Sequence, residues 1–242
     1  MPGLVRLGPV RLSVYGVFAA VGLFAALGLS LKTAGLVGLA SEQVWDAGLF
    51  AVVAAFVCSR LLLIAGNFSA FRQMPVTLLA LPSFTTLGMV LTGLVVVGYL
   101  RWKRLAVVRV LDAWAPCAAV LAAMLSLGKF LEGDDAGMPS GVPWAIKTPL
   151  SGGVRVHPVA MYGAIAAVVL AVVLMMLLRR GLRAGMVAGV GLVAGGASGF
   201  LIDMVTQPVE MRTGAWLEPS QWLAVGAMLV GGLMLTFSKE IA

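Results

Sequence analysis

Few side chains in this sequence could do chemistry, and most of them stand alone in apolar surroundings. His157 is the only histidine, directly before Pro158 at the start of an apolar run. With no second histidine and no cysteine beside it, zinc ligation is excluded, and no metal is expected. It reads first as a hydrogen-bonding residue at a helix start, and second as a proton carrier. Arg60 lies well inside the apolar stretch Val57–Leu62. A guanidinium there either snorkels toward the interface or holds a lipid phosphate with its planar fork. Tyr15 and Tyr162 each fall about one turn inside an apolar run, as interfacial anchors or as hydroxyls aimed into a polar cavity. Asp46 and Asp112 stand near the starts of apolar runs, where the dipole of their own helix favours a carboxylate. Asp134 and Asp135 are adjacent, so on a helix they diverge and make no acid–base pair. There is no Ser-His-Asp pattern and no phosphate-binding glycine loop. Cys58 and Cys117 lie in apolar runs and read as small buried packing residues.

The elements that must carry these groups are set by composition. Of the 242 residues, 61% are hydrophobic and 11% charged, against about a quarter charged in a soluble domain. There is too little polar side chain to clothe a water-soluble globule. A soluble enzyme, a disordered tail and a nucleic-acid-binding domain are excluded, and the net charge of +7 marks membrane topology. A span needs roughly 20 mostly apolar residues. Seven stretches qualify, from about Leu12 to Leu31, Val44 to Ala65, Val76 to Leu100, Val110 to Leu127, Pro158 to Leu178, Ala184 to Ile202 and Trp222 to Phe237. They lack the alternation of barrel strands, so helices are required. The expected fold is an all-α polytopic membrane protein, one integral domain over residues 1–242, with a small outer-side head formed by the loop from about Gly128 to His157. The first span is too long for a signal peptide and lacks a small-residue cleavage site. The clusters Arg101–Arg109 and Arg179–Arg183 occupy short loops on one side. Such clusters stay cytoplasmic, which puts the N-terminus outside and the C-terminus inside. In the sixth span Gly185, Gly189, Gly191, Gly195 and Gly199 recur at short spacing, which predicts close helix contact.

One stretch carries more information than its composition. From Asp112 the chain reads LDAWAPCAAVLAAMLSLGKFLEGDDAGMPSGVPWAIKTP, and later GVRVHPVAMY. The order and spacing of Asp112, Pro116, Gly128, Phe130, Gly133, Gly137, Pro143, Trp144, Ala145, His157, Pro158 and Tyr162 resemble the bacterial prolipoprotein diacylglyceryl transferase family. Leu7-Gly8-Pro9 with Tyr15-Gly16, Ser59-Arg60-Leu61, Gln207-Pro208 and Gln221-Trp222 extend the likeness over nearly the whole chain. The resemblance implies a seven-helix inner-membrane body with an outer head. It implies transfer of diacylglyceryl from phosphatidylglycerol to the lipobox cysteine thiol of a preprolipoprotein, with glycerol phosphate leaving. No cofactor is implied. The chemistry asks for cationic groups on the phosphate and for help in deprotonating the thiol.

The sequence departs from the family pattern at definite places. The third-span His-Gly-Gly aligns with Thr85-Thr86-Leu87. Arginines align with Ser126, Gly199 and Thr206, asparagines with Lys129 and Glu132, a glutamate with Asp134, and the Gln and Glu after His-Pro with Ala160 and Gly163. Two expectations follow. In the first, the chain is a transferase in which Arg60 and Lys129 hold the lipid phosphate, while His157, Asp134 and Tyr15 serve proton transfer and catalysis. In the alternative, it is a catalytically degenerate member that binds lipid or serves as a subunit of a membrane complex. Nucleic acid is a partner in neither.

Overall fold

The computed structural model describes residues 4–7, 10–66, 68, 72, 85–134, 137–207 and 217–240. Among these, seven long helices form the body. They are α1 (Val14–Leu36), α2 (Ser41–Gly66), α3 (Thr86–Trp102), α4 (Val107–Glu132), α5 (Val159–Arg179), α6 (Met186–Asp203) and α7 (Pro219–Glu240). Six are long and apolar enough to cross a membrane, and the seventh, α3, has 17 residues. The expected all-α polytopic membrane protein is what the chain forms.

Local chemistry explains where the helices begin and end. Ser13 caps α1 by accepting the Gly16 N–H at 3.0 Å, so the helix starts two residues later than its apolar run. The residues before it pair instead as an antiparallel hairpin, β1 (Leu4–Leu7) with β2 (Val10–Ser13). Thr85 caps α3 in the same way, accepting from Gly88 at 3.2 Å. The residues 76–84 of the expected third span lie outside the described residues. Helix α4 runs past Gly128 to Glu132, so the outer loop is shorter than the sequence predicts. It ends at Gly133, whose φ of 78° is the left-handed conformation that lets the last carbonyls bond back.

Helix α4 is the centre of the packing: α1 and α5 lie along it, α6 also touches it, and α7 packs on α6. Gly22 and Gly128 let α1 approach closely. A Cβ on Gly22 would lie 2.7 Å from Met124 Cβ, and one on Gly128 would lie 2.9 Å from Phe18 Cβ. Cys117 is buried against Thr33 at 3.7 Å, the packing role expected of it.

Asp112 does not act on its own helix end. Its carboxylate is buried on α4 and reaches across to α6, accepting the Gly185 N–H at 2.6 Å and the Ala188 N–H at 2.7 Å. It therefore caps the neighbouring helix. The sequence shows that a carboxylate stands at a helix start, but not which helix end is nearest in space.

Beyond Gly133 the loop is stapled by short pairings. Strand β3 (Ile146–Lys147) pairs with β4 (Arg155–Val156), and isolated bridges join Gly137 to Thr206 and Pro139 to Val156. Arg155 holds the turn by donating to the carbonyls of Pro143 at 3.0 Å and Ala145 at 3.0 and 3.1 Å. These contacts fix the loop over the ends of α4, α5 and α6.

Candidate functional site

A cavity of about 500 Å³ opens between α4, α5, the end of α6 and the loop. Its polar rim holds Ser126 and Lys129 of α4, Asp134 of the loop, and Asp203 and Thr206 at the end of α6. Its wall on α5 is Ala160 and Gly163, and on α6 Gly199. Deeper, Ala119, Ala122, Ala167, Leu170 and Gly195 make it apolar. A second cavity of about 380 Å³ shares Ala119, Ala122, Leu170 and Gly195 and continues along α4 to Trp114 and Leu111. The two make one trough, charged at one end and oily along its length.

Small residues create this space. A Cβ on Gly199 would meet nothing within 4 Å, and one on Gly195 only Leu170 at 3.6 Å. The short-spaced glycines of α6 thus divide. Gly189 gives the close contact expected, lying against Gly231 of α7, while Gly195 and Gly199 keep the trough open.

The structure brings some of the anticipated residues together. Lys129 and Asp134 share the cavity rim. Tyr15 is half-buried at the start of α1, packed where Gly128 of α4 approaches: a Cβ on Gly128 would lie 3.3 Å from Tyr15 Cα. His157 lies two residues from the cavity wall at Val159, not on the wall. Its Nδ1 is 3.2 Å from the Tyr162 hydroxyl, which accepts a 2.6 Å bond from the Trp144 indole N–H. An indole N–H only donates, so the Tyr162 oxygen accepts from Trp144, and its hydroxyl also shares a hydrogen bond with His157 Nδ1. Tyr162 is therefore a partnered hydroxyl. Arg60 stands apart from the rim, buried in α2 with its guanidinium 5.0 Å from the centre of the Phe56 ring.

Asp203, an ionisable group at the end of a span and so a candidate by residue type, lines the site. Ser126, Gly163, Gly199 and Thr206 complete it and were not singled out by residue type; the signal that finds them is departure from the family pattern. Ser126, Lys129, Asp134, Ala160, Gly163, Gly199 and Thr206 are all departing positions, and all line this one cavity.

Residues 2–237 match the family described as prolipoprotein diacylglyceryl transferase. The chain belongs to this family. A phosphatidylglycerol-prolipoprotein diacylglyceryl transferase of Geobacter sulfurreducens is 32% identical over 173 residues, covering 68% of this chain and 65% of that protein. One from Bordetella parapertussis is 29% identical over 156 residues, or 62% of this chain and 60% of the relative. These matches therefore span less than two thirds of either relative. A transferase of the same name from Aliivibrio fischeri strain ES114 is 30% identical over 248 residues, covering 97% of this chain and 87% of the relative. Family and apolar helices together make the chain a multi-pass protein of the bacterial inner membrane.

Within the diacylglyceryl transferase family, then, this member keeps the scaffold positions Gly128, Gly133, Pro143 and Trp144, and beside them His157. At the cavity, small residues or single charges replace the larger polar side chains of the pattern. Among the described residues its rim offers one cation, Lys129, and two carboxylates, Asp134 and Asp203. That set can hold a phosphate at the ammonium and accept a proton at a carboxylate.

Proposed function

We propose that this chain takes the diacylglyceryl group from a phosphatidylglycerol-like phospholipid and attaches it to the thiol of a lipobox cysteine in a preprolipoprotein. The observation that carries this reading is the trough, with a lysine and carboxylates at its mouth and about 380 Å³ of oily space continuing below. A phospholipid has the same division. The names of the relatives supply the donor headgroup and the acceptor.

In the reaction the thiol loses its proton to Asp134, and the thiolate attacks the glycerol carbon that bears the phosphate. A carbon–sulfur bond forms and the carbon–oxygen bond to phosphate breaks. Its electron pair leaves with glycerol phosphate, and Lys129 balances the charge that gathers there. Tyr15, half-buried at the start of α1, is a further candidate for proton transfer. His157, held by Tyr162, keeps the loop end beside Val159 and is the second candidate for proton transfer. Arg60 is the second candidate for phosphate, engaging lipid at α2. A lysine is a mobile point charge where a guanidinium is a planar fork. Losing one transition-state donor costs about 100- to 1000-fold in rate, so turnover is expected to be far below that of a member with the arginines.

The rim is assigned to the outer side. In support, Arg101, Lys103, Arg104, Arg109, Arg179, Arg180 and Arg183 gather at the opposite helix ends, as the positive-inside rule asks. The test is incubation of the purified chain with labelled phosphatidylglycerol and a lipobox peptide. Thioether product that disappears in the Asp134→Asn variant is expected. No product, under conditions where an arginine-bearing relative works, would sink the reading.

A further inference from the structure

The end of the bundle away from the trough holds a second charged hollow. From Arg109 to Lys129 helix α4 advances roughly 30 Å at ~1.5 Å per residue. That matches the hydrocarbon thickness of a bilayer, about 30 Å, so the two cations stand at opposite membrane faces. Beside Arg109 lies a cavity of about 300 Å³. It forms where the start of α4 meets the end of α1, at Leu36, and the turn from α5 into α6, at Gly181 and Leu182.

Four arginines gather here. Arg109 lines the cavity yet remains exposed. Arg179, Arg180 and Arg183 belong to the turn, and all three are exposed. The turn itself is held in place. Gly181 and Gly185 take the left-handed conformation, with φ of 61° and 91°, and Asp112 of α4 accepts the Gly185 and Ala188 N–H groups. Asp112 is the acidic residue of the lining, and it is 3% exposed. It keeps its charge, but four exposed arginines against one buried carboxylate leave this corner positive. Glu42 and Asp46 line a separate hollow beside Leu31.

Basic loops by themselves mark topology. Here they close on a cavity whose edge is partly oily: Leu36 is 45% exposed and Leu182 38%. A free inorganic anion would use the guanidinium forks and leave these leucines bare. A phospholipid uses both, with its phosphate on the arginines and the first carbons of its chains on the leucines. A zwitterionic headgroup would bring an ammonium toward four like charges, and an anionic one would not.

We infer that the hollow at Arg109 is a second phospholipid site, which takes the headgroup of an anionic phospholipid from the leaflet opposite the trough's mouth. It stands apart from the proposed transfer reaction and does not depend on it.

The test is native mass spectrometry of the full chain in detergent, titrated with phosphatidylglycerol or phosphatidylcholine of identical acyl chains. Two phosphatidylglycerols per chain are expected. Arg109→Gln should weaken one of them by about fivefold, and Arg109→Gln with Arg180→Gln by about 25-fold. Arg109→Lys, which keeps the charge, should retain it. Lys129→Gln should weaken only the other. The arginine-dependent lipid should be phosphatidylglycerol in preference to phosphatidylcholine, and an equal concentration of sodium phosphate should not displace it. Phosphatidylglycerol retention unchanged in the double arginine variant overturns the inference. So does an arginine-dependent site that holds phosphatidylcholine equally well, or one that phosphate empties. A single lipid, lost with the arginines and indifferent to Lys129→Gln, would sink the trough reading and leave this one standing.

Discussion

The two ends of helix α6 use the same kinds of residue in opposite ways. At its start a buried carboxylate, Asp112, has two backbone N–H partners at 2.6 and 2.7 Å, and Gly189 lies tightly on Gly231 of α7. At its far end Asp203 lines an open cavity, and Gly199 has nothing within 4 Å of its missing side chain. A satisfied carboxylate and a filled glycine contact hold helices together. A carboxylate on a cavity and a glycine beside empty space hold room for something else. Residue type is identical in the two cases, and only the surroundings separate structure from function.

The comparison can be broken most forcefully at the closed end. Asp112→Ala leaves the Gly185 and Ala188 N–H groups without their acceptor in a buried place. Each orphaned donor costs about 1–3 kcal/mol, so a loss of about 2–6 kcal/mol is expected. The shift of the unfolding midpoint in detergent measures it. Asp112→Asn, which keeps one acceptor oxygen, should lose about half as much. A midpoint unmoved by Asp112→Ala would show that the cap is incidental. Next in size is Gly231→Ala, whose new Cβ would stand 2.7 Å from the Gly189 carbonyl oxygen. Backbone on a packed seam cannot swing away, so overpacking of about 1–3 kcal/mol is expected in the same assay.

Much of this was legible in the sequence, for physical reasons that also mark where reading stops. Membrane helices declare themselves because about 20 apolar residues in a row have few other uses. Their ends were less legible. Ser13 starts α1 by side-chain capping although the apolar run begins before it, so hydropathy alone overshoots there, and Thr85 caps the start of α3 in the same way. Asp112 was seen at a helix start, but its partners are 73 and 76 residues away in the chain. No local pattern reports such a contact. Lys129 and Asp134 could be named as site residues because both fall in the stretch that resembles the family. Asp203 and Gly199 join them only through the packing of α6 against α4 and α5, and the glycine spacing that suggested contact throughout gives it at Gly185 and Gly189 but not at Gly199. Arg60 and Lys129 are both read from the sequence as holders of lipid phosphate, one from the second span and one from the fourth; the structure puts Arg60 on α2, outside the cavity lining, with its guanidinium 5.0 Å from the centre of the Phe56 ring.

At the open end the expected effects on stability become small while those on binding grow. Lys129 is exposed on the rim, and Lys129→Gln should move the midpoint by no more than about 0.5 kcal/mol. Retention of the phospholipid in the trough should nonetheless fall by about tenfold, a loss of ~1.4 kcal/mol. Undiminished retention would remove the lysine from the site.

The sharpest test has the smallest structural cost. Gly199→Leu places an apolar side chain in the wall of the cavity, where a Cβ meets nothing within 4 Å. Leucine is a better helix former than glycine by nearly 1 kcal/mol, so the variant should be as stable as the unaltered chain or slightly more so. Its side chain takes up space between the charged rim and the apolar depth, so a lipid can no longer occupy both. Lipid retention should fall although the protein is sound, and a short-chain phosphate ester that needs only the rim should bind as before. If retention of long-chain lipid is unchanged in a stable Gly199→Leu protein, the space beside Gly199 is only a packing gap. The two ends of α6 would then differ in tightness alone.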